Sequence, residues 1–108
     1  MGPQEKAELL KNFSLFHQLN EKIILQIAEE MQTEDFPAHV NIITENNIGD
    51  KLYFIISGTA KAYTINDKGR EVHIQTLQKN SYFGEIALFA HGKRVCSVKA
   101  ITECKLLS

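Results

Sequence analysis

The sequence predicts one mainly β domain with helices at its N-terminus, built as a small sandwich, roll or barrel. Apolar residues follow a helical period up to Met31, and about seven or eight short segments beyond it alternate apolar and polar side chains between turn residues. The chain has 108 residues and 44% hydrophobic residues, which suits a single hydrophobic core. We therefore expect one domain over residues 1–108, helical over 5–31 and β over 33–108.

The helical part is predicted from two apolar segments. In the second of them the apolar residues lie on one arc of a helix: Ile23, Ile24, Ile27, Ala28 and Met31. Asn20 stands just before this segment and is the expected N-cap. The first segment, residues 9–19, is expected to form a short helix and a turn. Together they predict a helical cap on the β structure.

A central strand is predicted from Lys51 to Ser57, because both alternating sets of its side chains are apolar. Thr59 to Ile65 and Glu71 to Leu77 alternate more weakly, and the turn residues 66–69 between them predict a hairpin. Gly58 suggests a bulge or a close backbone approach. Shorter strands are expected at Glu34 to Phe36, Asn41 to Thr44, Arg94 to Ala100 and Glu103 to Leu107.

One segment interrupts the β pattern. Residues 84–90 are a run of helix formers that opens with Gly84, and Gly92 follows. The first N–H groups of a helix have no intrahelical partner, and a glycine beside them permits close approach of an anion. The segment therefore predicts a short helix that is able to bind a phosphate.

The sequence around this helix resembles the phosphate-binding cassette of the cyclic-nucleotide-binding domain family. Gly84-Glu85-Ile86-Ala87-Leu88, with Arg94 nine residues after the Glu, carries the resemblance, and Gly49-Asp50 with the strand up to Gly58 extends it upstream. The family includes regulatory subunits of cyclic-AMP-dependent protein kinase, cyclic-nucleotide-gated channels and catabolite activators. The resemblance implies a jelly-roll-type β-roll, or double-stranded β-helix, that holds one cyclic nucleotide.

The residues of this cassette suit a cyclic phosphodiester chemically. The N–H groups of Ile86 and Ala87 and the guanidinium of Arg94 would hold the phosphate. Glu85 accepts hydrogen bonds when ionised, and the family uses this position for the ribose 2′-OH. The expected ligand-binding residues are Gly84, Glu85, Ile86, Ala87, Arg94, Val95 and Cys96.

The base preference is predicted from one position. Val95 occupies the place where a Thr hydroxyl often favours guanine in cyclic-GMP sensors of the family, and valine has no hydroxyl. We therefore expect cyclic AMP as the preferred ligand, with cyclic GMP possible. Leu77, Phe83, Val95 and Val98 are the expected apolar neighbours of the sugar and base.

Composition excludes several other classes. Twelve Lys and Arg against thirteen Asp and Glu leave a net charge of −1, which is too balanced for direct nucleic-acid binding. No apolar run approaches a membrane span, and Cys96 and Cys104 are expected to stay reduced. The chain is therefore predicted to be cytoplasmic, with no direct membrane contact.

An enzyme is not expected. The four histidines are scattered without metal-ligand spacing, and no serine lies in a Gly-x-Ser-x-Gly context, so we predict no metal, no cofactor and no catalytic residue. The alternative is a degenerate relative that keeps the fold as a protein-interaction module without a ligand. Family members continue into two C-terminal helices that close over the base, and this chain stops at Ser108. The lid helices and the effector are expected to lie outside it.

Overall fold

The computed structural model describes residues 1–44, 51–84 and 96–108. Two helices, α1 (Pro3–Leu10) and α2 (Glu21–Glu30), are separated by a 3₁₀ turn at Ser14–Phe16. The strands that follow are β1 (Thr33–Phe36), β2 (Asn41–Ile43), β3 (Tyr53–Ser57), β4 (Ala60–Ile65), β5 (Glu71–Leu77), β6 (Tyr82–Phe83), β7 (Ser97–Ala100) and β8 (Cys104–Leu107).

The strands form two antiparallel sheets of four. Their orders are β1-β8-β3-β6 and β2-β7-β4-β5, so the chain passes repeatedly from one sheet to the other. The two sheets enclose one core, to which both contribute: Ile42, Tyr53, Ile55, Ala60, Ala62, Leu77, Phe83, Val98, Ala100, Cys104 and Leu106. The predicted mainly β fold with N-terminal helices, a jelly-roll-type β-roll, is confirmed.

The expectation of a single core is wrong: strand β3 separates this roll core from a second core under the helices, because its two faces are both apolar. Tyr53 and Ile55 face the roll core, and Phe54 faces the helices. The ring of Phe54 lies 5.1 Å from that of Phe13 and 5.4 Å from that of Phe16, centroid to centroid. Aromatic rings prefer such tilted or edge-on contacts. The prediction that this strand lies between two apolar layers is confirmed.

Helix α2 begins as the sequence predicts and ends earlier. The Asn20 Oδ1 accepts a hydrogen bond of 2.9 Å from the backbone N–H of Ile23, which confirms the N-cap. Met31 lies beyond the helix in extended conformation, because Gln32 pairs with Ser108 and turns the chain towards β1. Ile23 was predicted on the buried arc and is 40% exposed. The helix buries the neighbouring face, which is centred on Ile24 and Ala28.

Helix α1 begins at Pro3, two residues before the predicted start of the helical part. Proline has the backbone angle of a helix and lacks the N–H that would have no partner at this position. Two lysines link the first helical segment to α2 and to the residue that follows it. The Nζ of Lys6 donates to the Met31 carbonyl at 2.6 Å, and that of Lys11 donates to the Glu21 carboxylate at 2.8 Å.

The predicted hairpin of β4 and β5 is confirmed, with its turn held by Asn66. The Asn66 Oδ1 accepts from the backbone N–H of Lys68 at 2.9 Å and from that of Arg70 at 3.0 Å. Gly69 has a positive φ of 77°. Gly58 has a φ of 97° and lies against the backbone of β8, which confirms the predicted close approach.

Candidate functional site

The candidate site lies where the chain crosses between the sheets. Strand β6 ends at Phe83 in one sheet, and β7 begins at Ser97 in the other. Gly84 and Cys96 are the described residues nearest to the crossing segment, residues 85–95. Most of the predicted binding residues lie outside the described residues: Glu85, Ile86, Ala87, Arg94 and Val95. The predicted helix over 84–90 also lies there, apart from Gly84.

Strand pairing positions the residues that lead into this segment. Phe83 is paired with Tyr53 across β6 and β3, and their rings stack with centroids 5.2 Å apart and planes 16° apart. Gly84 follows with a φ of 103°, a left-handed conformation that glycine adopts without strain. The sequence does not predict β6, because a strand of two residues shows no alternation. Its pairing with β3 nevertheless sets the direction in which the chain enters the predicted cassette.

The exit is placed by β7. Cys96 was predicted inside a strand that starts at Arg94; it lies in a bend just before Ser97 and packs, half-buried, against the roll core. Ser97 is buried and is the register partner of Tyr63 on β4. Val98 is 1% exposed and pairs with Ile43. The two neighbouring strands, β2 and β4, therefore hold the residues that follow the segment.

The described apolar residues expected near the sugar and base come together. Leu77, Phe83 and Val98 belong to three different strands and share the roll core. Each is less than a tenth exposed. Val95, the fourth, lies outside the described part of the chain. The entry and exit of residues 85–95 are thus joined by one apolar cluster.

A second linking segment, residues 45–50, has its flanks beside those of the first. Ile43, near its start, is the register partner of Val98, and Tyr53, near its end, is the partner of Phe83. Because the pairing is antiparallel, both segments connect the sheets at the same end of the roll. The resemblance singled out Gly49 and Asp50 in this second segment, whose flanks the strand register places beside those of the predicted cassette.

The outer face of the β2-β7-β4-β5 sheet carries a charged cluster that sequence analysis did not identify. Lys61 on β4 is the register partner of Lys99 on β7. Glu71 on β5 accepts from both ammonium groups, at 2.7 Å from Lys61 and 2.6 Å from Lys99. The hydrogen bonds from these two lysines lower the pKa of Glu71 to about 2. We call Lys61, Glu71 and Lys99 the outer-face cluster.

The aromatic ring of Tyr63 lies under this cluster. The Nζ atoms of Lys99 and Lys61 are 5.1 Å and 5.8 Å from its centroid, and its hydroxyl donates to the Oδ1 of Asn41 at 2.9 Å. Both lysine Nζ atoms lie over the ring, and Tyr63 is buried although it lies on an outer face. The sequence gives no signal for this cluster, because only the strand register brings the three charged residues together.

Other chemistry is sparse in the described residues. They contain no group of three or more His, Cys, Asp or Glu that is able to hold a metal ion. Burial raises the pKa of the Cys104 thiol, which lies 3.3 Å from the carbonyl oxygens of Thr59 and Thr102. Across 1–44, 51–84 and 96–108, no helix is long and apolar enough to span a membrane.

Comparison with known proteins points to one family. The sequence profile of the cyclic nucleotide-binding domain matches residues 33–108. The chain is 32% identical to the CRP-like cAMP-activated global transcriptional regulator of Mycobacterium tuberculosis, over 94% of this chain and 45% of that protein. It is 34% identical to the potassium/sodium hyperpolarization-activated cyclic nucleotide-gated channel 2 of Mus musculus, over 94% of this chain and 11% of the channel.

The fold is also found among solved structures. The regulatory domain of Toxoplasma gondii protein kinase A, crystallised with cAMP, superimposes with a TM-score of 0.90 at 24% identity. The match covers 97% of this chain and 41% of that one. The chain therefore spans less than half the length of each of these three proteins.

Proposed function

The chain belongs to the cyclic nucleotide-binding domain family, and from this premise we propose that it binds one cyclic nucleotide, cyclic AMP in preference to cyclic GMP. Binding would regulate an effector outside this chain, such as a kinase, a channel or a DNA-binding domain. The observation that carries the proposal is the presence of Glu85 and Arg94 at the family's cassette spacing.

The phosphate is proposed to bind between backbone and side-chain donors. A cyclic phosphodiester carries one negative charge, which the N–H groups of Ile86 and Ala87 and the forked guanidinium of Arg94 would share. Glu85 would accept a hydrogen bond from the ribose 2′-OH. Hydrogen bonds to charged groups contribute roughly 1.5–3 kcal/mol each, so the loss of either side chain should weaken binding by about one to two decades.

The placement of Gly84 and Cys96 supports this proposal. A site that must hold a phosphate and a ribose together needs its residues pre-positioned, because ordering a loose segment on binding reduces affinity. Here both flanks of residues 85–95 are fixed by strand pairing and by the shared roll core. The chain enters the cassette at Gly84 with a positive φ, a conformation that glycine adopts without strain.

The preference for cyclic AMP rests on Val95. A guanine group that loses water in the pocket without gaining a hydrogen-bond partner disfavours binding, and valine offers no such partner. Val95→Thr should therefore improve cyclic GMP binding and narrow the ratio of the two dissociation constants. A wild-type chain that already binds cyclic GMP more tightly than cyclic AMP contradicts this part of the proposal.

The ligand is proposed to act as a switch and not as a substrate. Its binding would favour one arrangement of the chain, and the helices or segments beyond the roll would respond, to the extent that the ligand binds the two arrangements differently. Incubation of the chain with cyclic AMP should leave the nucleotide intact by chromatography. The appearance of AMP would identify an enzyme instead.

Calorimetric titration with cyclic AMP, cyclic GMP and adenosine tests the proposed ligand class. Adenosine is the matched control, because it keeps the base and the ribose 2′-OH and lacks the phosphate. We expect cyclic AMP to bind most tightly and adenosine to bind at least tenfold more weakly, a loss of about one charge-assisted hydrogen bond. Equal affinities for adenosine and cyclic AMP would contradict the phosphate site, and no binding of any of the three would favour the degenerate interaction module.

A further inference from the structure

The outer-face cluster includes a residue of β7, the strand that follows the proposed cassette. Lys99 is the third residue of β7, and Cys96, the described end of the cassette, immediately precedes that strand. Two like charges that face each other across paired strands oppose the pairing. The carboxylate of Glu71 removes that opposition, because one of its oxygens accepts from Lys61 and the other from Lys99.

We propose that Glu71 is a positioning residue for nucleotide binding: it draws Lys61 and Lys99 together and thereby holds β7, with the exit of the cassette, against β4. This inference rests on the function proposed above. Glu71 belongs to β5, so the carboxylate joins three adjacent strands of one sheet. It lies on the outer face, whereas the roll core lies on the inner one, and it acts on the ligand only through β7.

The side chains of the outer-face cluster are only partly buried. The lysine side chains are 28% and 26% exposed, and that of Glu71 is 36% exposed. Without Glu71 the two ammonium groups would repel each other, and because they are still partly exposed, added salt would screen that repulsion. The buried ring of Tyr63 lies beneath both lysines and is the register partner of the His73 on β5 and the Ser97 on β7. Movement of Lys99 would therefore be transmitted to Ser97, next to Cys96.

Calorimetric titration of Glu71→Gln with cyclic AMP at low and high salt tests the inference. We expect binding about two- to fivefold weaker than in the wild type at low salt, the effect of one opposed charge pair, and a ratio near one at high salt, where repulsion is screened. The double variant Lys61→Gln with Glu71→Gln should bind like the wild type, because only one lysine then remains. Circular dichroism confirms that each variant is folded.

Glu21→Gln is the matched control. Glu21 also accepts from a lysine, Lys11, but it belongs to helix α2 and not to the sheet that contains β7, so its loss should leave the affinity unchanged. Wild-type affinity of Glu71→Gln at low salt would overturn the inference. So would a loss that salt does not reverse, or a double variant as weak as the single one.

Amide hydrogen exchange of β7 separates this inference from the proposed function. Without ligand, Glu71→Gln should speed exchange of the residues 97–100, and the double variant should restore the wild-type rate. If the wild type binds no cyclic nucleotide, the proposed function fails and the exchange rates alone decide whether Glu71 positions β7. Equal exchange in wild type and Glu71→Gln would overturn the positioning role.

Discussion

A Cβ atom added to Gly58 would lie 2.3 Å from the carbonyl oxygen of Glu103. The Cα and the Sγ of Cys104 would each lie 2.9 Å from it. Gly58 joins β3 to β4, and Glu103 directly precedes β8, so the start of β4 can approach β8 this closely only because the glycine has no side chain. The positive φ of Gly58 adds a second reason for glycine at this position.

Gly58→Ala should therefore destabilise the fold strongly. The alanine would have to adopt a left-handed backbone conformation, and its Cβ would overlap the neighbouring backbone. Together these two effects should lower the free energy of unfolding by roughly 3 kcal/mol or more. Gly69→Ala is the matched control, because Gly69 also has a positive φ and nothing lies within 4 Å of its Cβ position. We expect that variant to lose about 1 kcal/mol in urea unfolding. Equal losses in the two variants would contradict the close approach.

Asn20→Ala should shorten or loosen helix α2. The variant removes the side-chain acceptor of the Ile23 N–H and should lower the free energy of unfolding by about 1 kcal/mol. Asn20→Asp keeps an acceptor oxygen in the same place and should retain wild-type stability. Urea unfolding followed by circular dichroism measures both. An unchanged midpoint for Asn20→Ala would show that the cap contributes nothing.

Phe83→Ala should damage both the fold and the entry to the cassette. Phe83 is 6% exposed and stacks on Tyr53, and truncation of a buried phenylalanine costs about 3–5 kcal/mol. Phe83→Leu keeps most of the volume and tests the site itself, since it should remain folded and bind cyclic AMP more weakly. Tyr82→Leu is the control, because the neighbouring ring packs on Phe54 under the helices. If both leucine variants bind equally, the Tyr53–Phe83 stack does not position the cassette.

The pKa of Glu71 predicts a specific loss of stability in acid. Its folded pKa of about 2 lies below the ordinary value of 4.5, so the ionised form is the one that the fold stabilises. The contribution is complete above pH 4.5 and is lost as the pH falls towards 2. Unfolding midpoints between pH 6 and pH 2 should therefore fall more steeply for the wild type than for Glu71→Gln. Parallel profiles would contradict the pairing of Glu71 with Lys61 and Lys99.

The sequence predicted those parts of the fold that depend on residues close together in the chain. The double alternation of β3 reflects its place between two cores, and Asn20 and Asn66 form the cap and the turn that their residue types favour. Long-range pairing was not predictable in this way. The two residues of β6 carry no period, and His39 takes a positive φ of 72°, which few residues other than glycine adopt.

The same distinction between local patterns and long-range pairing applies to the candidate site. The motif around Glu85 and Arg94 was identified from local spacing, and the structure adds what spacing does not contain, the placement of its two flanks. Glu71, Lys61 and Lys99 are far apart in sequence, and only the register of β4, β5 and β7 makes them neighbours. No sequence motif could therefore have predicted their proposed role in binding.

The central claim is that Arg94 binds the phosphate of a cyclic nucleotide, and calorimetric titration of the wild type and Arg94→Ala with cyclic AMP tests it most directly. Arg70→Ala, which removes an exposed arginine at the hairpin turn, is the matched control. We predict that the wild type and Arg70→Ala bind one equivalent with the same affinity, and that Arg94→Ala binds at least tenfold more weakly while it stays folded. Equal binding of cyclic AMP by the wild type and Arg94→Ala, or no binding by the wild type, would contradict the claim.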